Sequence, residues 1–390
     1  MPRQSRLPSG TRLHAMRAGG RCPLPTHVLK YVAAMALVVL FVWNLSLLGT
    51  IVQPVGKLPS HMLRSEPSRA PVPPPVPAPR PWFLNPEMYE RESGCDFSAA
   101  VAALRPEELE INCGNVDELE LGEFLGQGYW REVYRANWKG REVAVKVVKE
   151  HLLNRSDIVT RHVEEVAAVF PVRNAPNIVS LVGWCNSTVI VDYVPQKLDE
   201  LLYESAEPLS VRRTLELARD AARGLAQLHS AAGGPFAHTD IQSRQFLVDR
   251  SGKLLLNDFN RIKYAGPRLV DGKPTTEKCT FATPVAKGKW RSPEEYAHAQ
   301  LDEKLDVYSL SLVLWSLQAR ERPHEDLARE KVYRKVPQGL RPPVDKMQAF
   351  PAAMQALIVR SWSADPAMRP SAEELANGIE AVLADYRGAD

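Results

Sequence analysis

Cysteine is scarce in this chain: there are five in 390 residues, and no two form a C-x-x-C pair. That spacing argues against a structural zinc site. Net charge is nearly absent as well, at +3, so the whole chain carries no electrostatic signal for nucleic acid, and none is expected as a partner. Acidic residues are missing from positions 1–30, where Arg3, Arg6, Arg12, Arg17, Arg21 and Lys30 stand without a counter-charge. Between Lys30 and Lys57 there is no charge of either sign, and no internal repeat is visible anywhere. What remains, 45% hydrophobic and 24% charged, is the composition of a globular protein and not of a disordered one.

The charge-free stretch Tyr31–Val52 is almost continuously apolar. It meets the length of about 20 residues that a helix needs to cross the hydrocarbon of a lipid bilayer. With its basic flank on the N-terminal side, the positive-inside rule keeps residues 1–30 in the cytosol. The chain then reads as a single-pass type II membrane protein with everything after Val52 in the lumen or outside the cell. A cleaved signal peptide is the rival, with an unusually long basic lead and too long an apolar core. A buried soluble helix is set aside because no face of the segment is polar. Asn154-Arg155-Ser156 and Asn186-Ser187-Thr188 are glycosylation sequons on the expected lumenal side, although two by chance are common in a chain this long. Cys95, Cys113, Cys185 and Cys279 fall on that side too, an even number that permits disulfides. Cys95 with Cys113 is the pairing expected.

The layout divides into a basic tail (1–30), the signal anchor (31–52), a proline-rich stalk (53–95), a lead-in segment (96–118) with a short helix near Ala99–Leu104, and a main domain (119–383). The stalk includes EPSRAPVPPPVPAPRPW, which favours extended polyproline II and acts as a semi-rigid spacer. In the main domain, Leu121–Leu125, Val133–Trp138 and Glu142–Val148 read as strands, with Lys139-Gly140 as a tight turn. Helical periodicity follows over Ile158–Phe170, then two short strands over Ile178–Trp184 and Val189–Tyr193. Helices are expected at Val211–Ser230, Leu305–Ala319, Phe350–Trp362 and Ala372–Tyr386. Strands first and helices later predict an α+β fold with a small sheet lobe and a larger helical lobe.

The chemistry-bearing motifs follow that order. Gly126-Gln127-Gly128 ends the first strand, with Arg131 and Val133 beyond; glycines there let a backbone approach phosphates closely. A dinucleotide fold would need a helix directly after the glycines, and a strand follows instead. Val143-Ala144-Val145-Lys146 puts a lysine on the third strand, where its charge suits ATP phosphates; a surface lysine on an edge strand is the bland reading. A buried lysine needs a counter-charge, and Glu165 on the following helix fits, with Glu164 in reserve.

The decisive constellation is His238-Thr239-Asp240-Ile241-Gln242-Ser243-Arg244-Gln245-Phe246-Leu247, followed by Leu256-Asn257-Asp258-Phe259-Asn260. Downstream come Lys289-Trp290-Arg291-Ser292-Pro293-Glu294, Asp306-Val307-Tyr308-Ser309-Leu310, and Trp362 through Asp365-Pro366 to Arg369-Pro370. From Leu119 to about Leu383 this resembles the protein kinase superfamily. The resemblance implies a two-lobed kinase fold that transfers phosphate from ATP, with Mg2+ or Mn2+, to a protein substrate. Asp240 would orient the acceptor hydroxyl and take its proton, with Lys146, Glu165 and Arg244 in the catalytic set. Asp258 and Gln245 would hold the metal. Gly126, Gly128, Val133, Ala144, Lys146, Val191 as gatekeeper, Asp192, Val194 and Leu247 would form the ATP site. His238, Glu294, Asp306 and Arg369 would be structural, Glu294 pairing with Arg369. Small-molecule phosphotransferases share the two aspartates but lack the later markers.

Several positions depart from the pattern. Gln245 replaces the metal-binding asparagine, Asn260 the glycine after Asp258-Phe259, Arg131 the third loop glycine, and Thr239 the arginine before Asp240. Gln242 stands where a lysine is usual, while Arg244 with Trp290 looks like a tyrosine-kinase or tyrosine-kinase-like arrangement. Gln245 followed by Phe246, together with a signal anchor, looks similar to secretory-pathway kinases such as the vertebrate lonesome kinase group; the protein O-mannose kinase, which acts on a glycan, shares the topology. The alternatives are a pseudokinase scaffold and a glycan kinase.

Overall fold

The segment between Glu120 and Asp192 builds an antiparallel sheet of five strands, β1 (Glu120–Gln127), β2 (Arg131–Trp138), β3 (Arg141–Val148), β4 (Leu181–Cys185) and β5 (Thr188–Asp192), in the spatial order β1-β2-β3-β5-β4. They belong to a computed structural model that describes residues 81–271, 273–283 and 287–388. The expected anchor at Tyr31–Val52 and most of the stalk lie outside these residues. Among the described residues no helix is long and apolar enough to cross a membrane. Lys139 and Gly140, at the turn between β2 and β3, both take positive φ (52° and 88°), the conformation a two-residue hairpin demands.

The register decides what each face of the sheet does. Val133 lies opposite Lys146, and Ala144 opposite Val191, so these four share one face. The other face carries Val143, Val145 and Val147, packed with Leu121, Ala136 and Ile190. The lead-in segment covers it: Ile111 and Val116 join this cluster, and Ile111 makes a parallel bridge to Gly183. A Cβ on Gly183 would sit 2.6 Å from Ile111, so only glycine lets the two backbones approach this closely.

A short helix, α1 (Ser98–Ala103), packs against α2 (Ser156–Val169), whose inner face is buried beside the sheet. Beyond β5 the chain is mostly helical. Helix α3 (Val211–His229) starts where the Ser210 hydroxyl accepts the Arg213 amide at 3.2 Å. Helix α4 (Pro293–Tyr296) opens on a Ser292–Glu295 capping box. Helix α5 (Lys304–Ala319) is buried on nearly every side and forms the centre of this lobe, with α6 (Arg329–Lys335), α7 (Ala352–Ser361) and α8 (Ala372–Asp385) completing it. Short strands set the loops before and after α3: β6 (Gln196–Lys197) pairs with β8 (Phe246–Val248) and β8 with β9 (Leu254–Leu256), β7 (Phe236–Ala237) pairs with β10 (Lys263–Tyr264), and β11 (Pro267–Val270) pairs with β12 (Lys273–Lys278). The result is the two-lobed α+β architecture of a kinase.

Two expectations change. The fourth strand begins at Leu181 and not at Ile178, because Ile178 and Val179 pair with Leu256 in the other lobe and so link the lobes. The disulfides are Cys95–Cys279 and Cys113–Cys185, not Cys95–Cys113. Proximity in sequence favoured the short loop. The fold instead lays Cys113 beside β4 through the Ile111–Gly183 bridge, and Cys95 beside the segment after β12.

Candidate active site

Sequence-neighbour residues become a site only because buried groups hold the loops in place. The anchor is Asp306 at the start of α5, which is fully buried. Its two carboxylate oxygens accept the backbone amides of His238 (2.6 Å) and Thr239 (2.9 Å), and His229 Nε2 lies 3.0 Å away. His238 then reaches the next loop, with its Nε2 3.0 Å from the Asn257 carbonyl and its ring 5.4 Å from that of Phe259. Thr239 and Asp258 both hold positive φ (59° and 65°), strained for non-glycine residues and sustained here by these bonds.

A cleft of about 1100 Å3 opens over this anchor, lined among others by Gly128, Asp240, Arg244, Gln245, Leu247 and Asp258. Asp240 accepts the Gln245 side-chain amide at 2.7 Å on one oxygen and Arg291 on the other, with Arg261 at 3.6 Å and Arg244 at 3.8 Å. Burial pushes the Asp240 carboxyl up, but Arg291, Arg261 and His238 outweigh it and hold it below its usual value. Asp240 is therefore ionised at neutral pH. Gln245 gives its NH2 to Asp240, which leaves its amide oxygen as a donor for a cation. Asp258 accepts the Asn260 side-chain amide at 2.6 Å on one oxygen, and among the described residues nothing bonds to the second. Among the described residues no group of three or more His, Cys, Asp or Glu is placed to hold a metal by itself. Two protein oxygens supplemented by substrate phosphates is the set that magnesium takes, and Asp258 with Gln245 fits it.

The nucleotide wall comes from the sheet. Gly128 donates its amide to the Arg131 carbonyl at 2.8 Å and so closes the turn between β1 and β2, and Gly126 has a positive φ of 153°. Val133, Ala144 and Val191 share the Lys146 face. At the strand end, the Asp192 carboxylate pairs with Arg141 at 2.7 Å and its amide with the Ser180 carbonyl, so its own carbonyl is what it has to offer a ligand. Val194 follows, partly buried.

The expected partner of Lys146 is not there. Lys146 Nζ meets Asn257 Oδ1 at 3.2 Å, while Glu165 is bound to Arg131, and Glu164 to Lys263 (2.6 Å) and to the Tyr264 amide (3.2 Å). Two guanidinium or ammonium groups closer to the helix have taken both carboxylates. The Arg369 guanidinium, with no exposed surface, makes two bonds to Glu294 at 2.6 and 2.7 Å. Asn154 is exposed, and Asn186 is half-buried in the turn between β4 and β5. Sequence reasoning missed Asn257, Arg261 and Arg291 as neighbours of the site. Their only signal was adjacency to Asp258 or to the Ser292-Pro293-Glu294 motif.

This fold and this cleft define a protein kinase. The protein tyrosine and serine/threonine kinase family matches residues 119–379, and the chain belongs to it. It is similar to the probable serine/threonine-protein kinase drkC of Dictyostelium discoideum, with 30% identity over 70% of this chain and 36% of that protein. It is also similar to the probable serine/threonine-protein kinase SIS8 of Arabidopsis thaliana (29%, over 70% of this chain and 26% of that protein). Human mitogen-activated protein kinase kinase kinase 7 is 26% identical over 72% of this chain and 45% of its own length. The chain thus spans less than half the length of these relatives.

Proposed function

We propose that this protein is a membrane-anchored kinase of the secretory pathway that transfers the γ-phosphate of ATP to a hydroxyl of a secreted or lumenal protein. The observation that carries the transfer is the convergence of Gly128, Asp240, Gln245 and Asp258 on one cleft. Asp240, kept ionised by its arginines, orients the acceptor hydroxyl and takes its proton. Arg244, exposed beside it, faces the acceptor. Lys146 holds phosphates, Val191 closes the back of the adenine site, and the Asp192 carbonyl and Val194 amide meet the adenine edge, with Val133, Ala144 and Leu247 above and below. Asp258 and Gln245 hold magnesium or manganese, which neutralises the phosphate charge.

The location is supported by the basic tail, the apolar run Tyr31–Val52 as the bilayer contact, the sequons at Asn154 and Asn186, and two disulfides, which persist in oxidising compartments. The signal anchor, with Gln245 followed by Phe246, supports kinship with the lonesome kinase group. The test is phosphate transfer from magnesium-ATP or manganese-ATP by the purified chain, beside Lys146→Met, with protein and glycan acceptors. Activity lost in the variant supports the kinase, and the phosphoamino acid assigns tyrosine or serine/threonine. Transfer to glycans alone, or no transfer by a folded chain with either metal, overturns the reading in favour of a glycan kinase or a scaffold.

A further inference from the structure

Helix α2 presents a buried carboxylate, Glu165, and such a charge needs a partner or costs several kcal/mol. Its partner is Arg131, and both side chains are almost fully shielded from solvent. Arg131 follows directly on Gly128, Tyr129 and Trp130, which line the cleft, and its carbonyl accepts the Gly128 amide. Its second guanidinium nitrogen lies 2.7 Å from His162 Nδ1, one turn earlier on α2, and its guanidinium stacks on Trp130 with 3.9 Å to the ring centroid. His162 is fixed in turn: its Nε2 donates to the Asn186 carbonyl at 2.7 Å, which leaves Nδ1 as an acceptor. A guanidinium fork serves a carboxylate and an imidazole at once, which an ammonium does less well. Among the described residues Lys146 forms no ion pair, and its Nζ meets Asn257 Oδ1 at 3.2 Å.

We propose that Arg131 is a positioning residue that ties the phosphate-covering loop to helix α2 through Glu165 and His162, and that Lys146 serves the nucleotide phosphates alone. This rests on the kinase reading above. In this arrangement loss of Glu165 acts on the loop, and hence on nucleotide affinity, and leaves the position of Lys146 unchanged.

The experiment uses the full chain as wild type, Arg131→Met, Arg131→Lys, Glu165→Gln, Lys146→Met, and the two double variants that combine Glu165→Gln with Arg131→Met or with Lys146→Met. KM for ATP and kcat are measured, together with the Kd of magnesium-ATP by calorimetry. The expected result is a KM and Kd raised about 10-fold by Arg131→Met, a kcat changed less than about threefold, and partial recovery in Arg131→Lys, from removal of about 1.4 kcal/mol of loop anchoring. Glu165→Gln should add nothing to Arg131→Met, whereas its effect should add to that of Lys146→Met. Affinity unchanged in Arg131→Met, or non-additivity of Glu165→Gln with Lys146→Met instead, overturns the proposal. If the wild type transfers no phosphate, the kinase reading fails separately and the Kd series still decides the role of Arg131.

Discussion

Replacing Asp306 by asparagine removes one oxygen and changes nothing in size, so its effect isolates the anchor beneath the catalytic loop. In the protein both carboxylate oxygens accept backbone amides, at 2.6 Å from His238 and 2.9 Å from Thr239, with no solvent access. An asparagine keeps one of these bonds and turns its own NH2 on the other amide. Losing a charged hydrogen bond costs about 1.5–3 kcal/mol, and the stranded buried donor raises the total to about 3–5 kcal/mol. The loop can escape this cost by moving away, and Asp240 then leaves its position over the acceptor. Restoring it at the moment of transfer would spend about 3 kcal/mol and slow kcat roughly 100-fold or more. KM for ATP should change less than kcat, because the sheet face that binds nucleotide is held by its own strand pairing. Steady-state kinetics and a thermal melt of Asp306→Asn test this together. A kcat within threefold of wild type with an unchanged melting temperature would refute the claim that Asp306 positions the catalytic loop.

Two further outcomes are expected. Removing the Cys113–Cys185 bond, which spans 72 residues, by Cys113→Ala with Cys185→Ala should cost up to about 4.4 kcal/mol of stability through restored loop entropy in the unfolded chain, read by urea unfolding under non-reducing conditions. His162 stays neutral when folded because burial and Arg131 push it from 6.5 down to about 3, while the unfolded chain takes up a proton below pH 6.5. Stability from this residue is therefore fully present above pH 6.5 and is lost as pH falls towards 3, at about 1.4 kcal/mol per pH unit. His162→Gln should flatten that acid slope in denaturation curves taken from pH 7 to pH 4; an unchanged slope would mean that another group sets it.

Much of the architecture was readable because it rests on local patterns. Val143 to Val147 alternate across a strand, Lys139-Gly140 has few conformations open to it, and Asp240 and Asp258 sit in motifs whose spacing is short. The partners of buried charges were not readable in the same way. Arg131 precedes Glu165 by 34 residues and Lys263 follows Glu164 by 99, and nothing local says which of two adjacent glutamates faces which cation. The lead-in segment was likewise illegible as a cover for the sheet, since Ile111 and Val116 are too few to show a period. The disulfide partners were hidden for the same reason: cysteine pairing follows the folded path of the chain, and the nearest cysteine in sequence was not the nearest in space.

The Cys95–Cys279 bond, whose ends are 184 positions apart, closes a large part of the protein into a covalent ring. Inside that ring lie the whole five-stranded sheet, the catalytic loop and Asp258. The β11–β12 hairpin also lies inside it, and every residue of β12 is exposed. A single proteolytic cut in that hairpin would therefore open the chain without dividing the molecule. The piece ending in β11, which carries the sheet and α3, and the piece running from β12 to α8 would remain joined through sulfur until a reductant followed the protease.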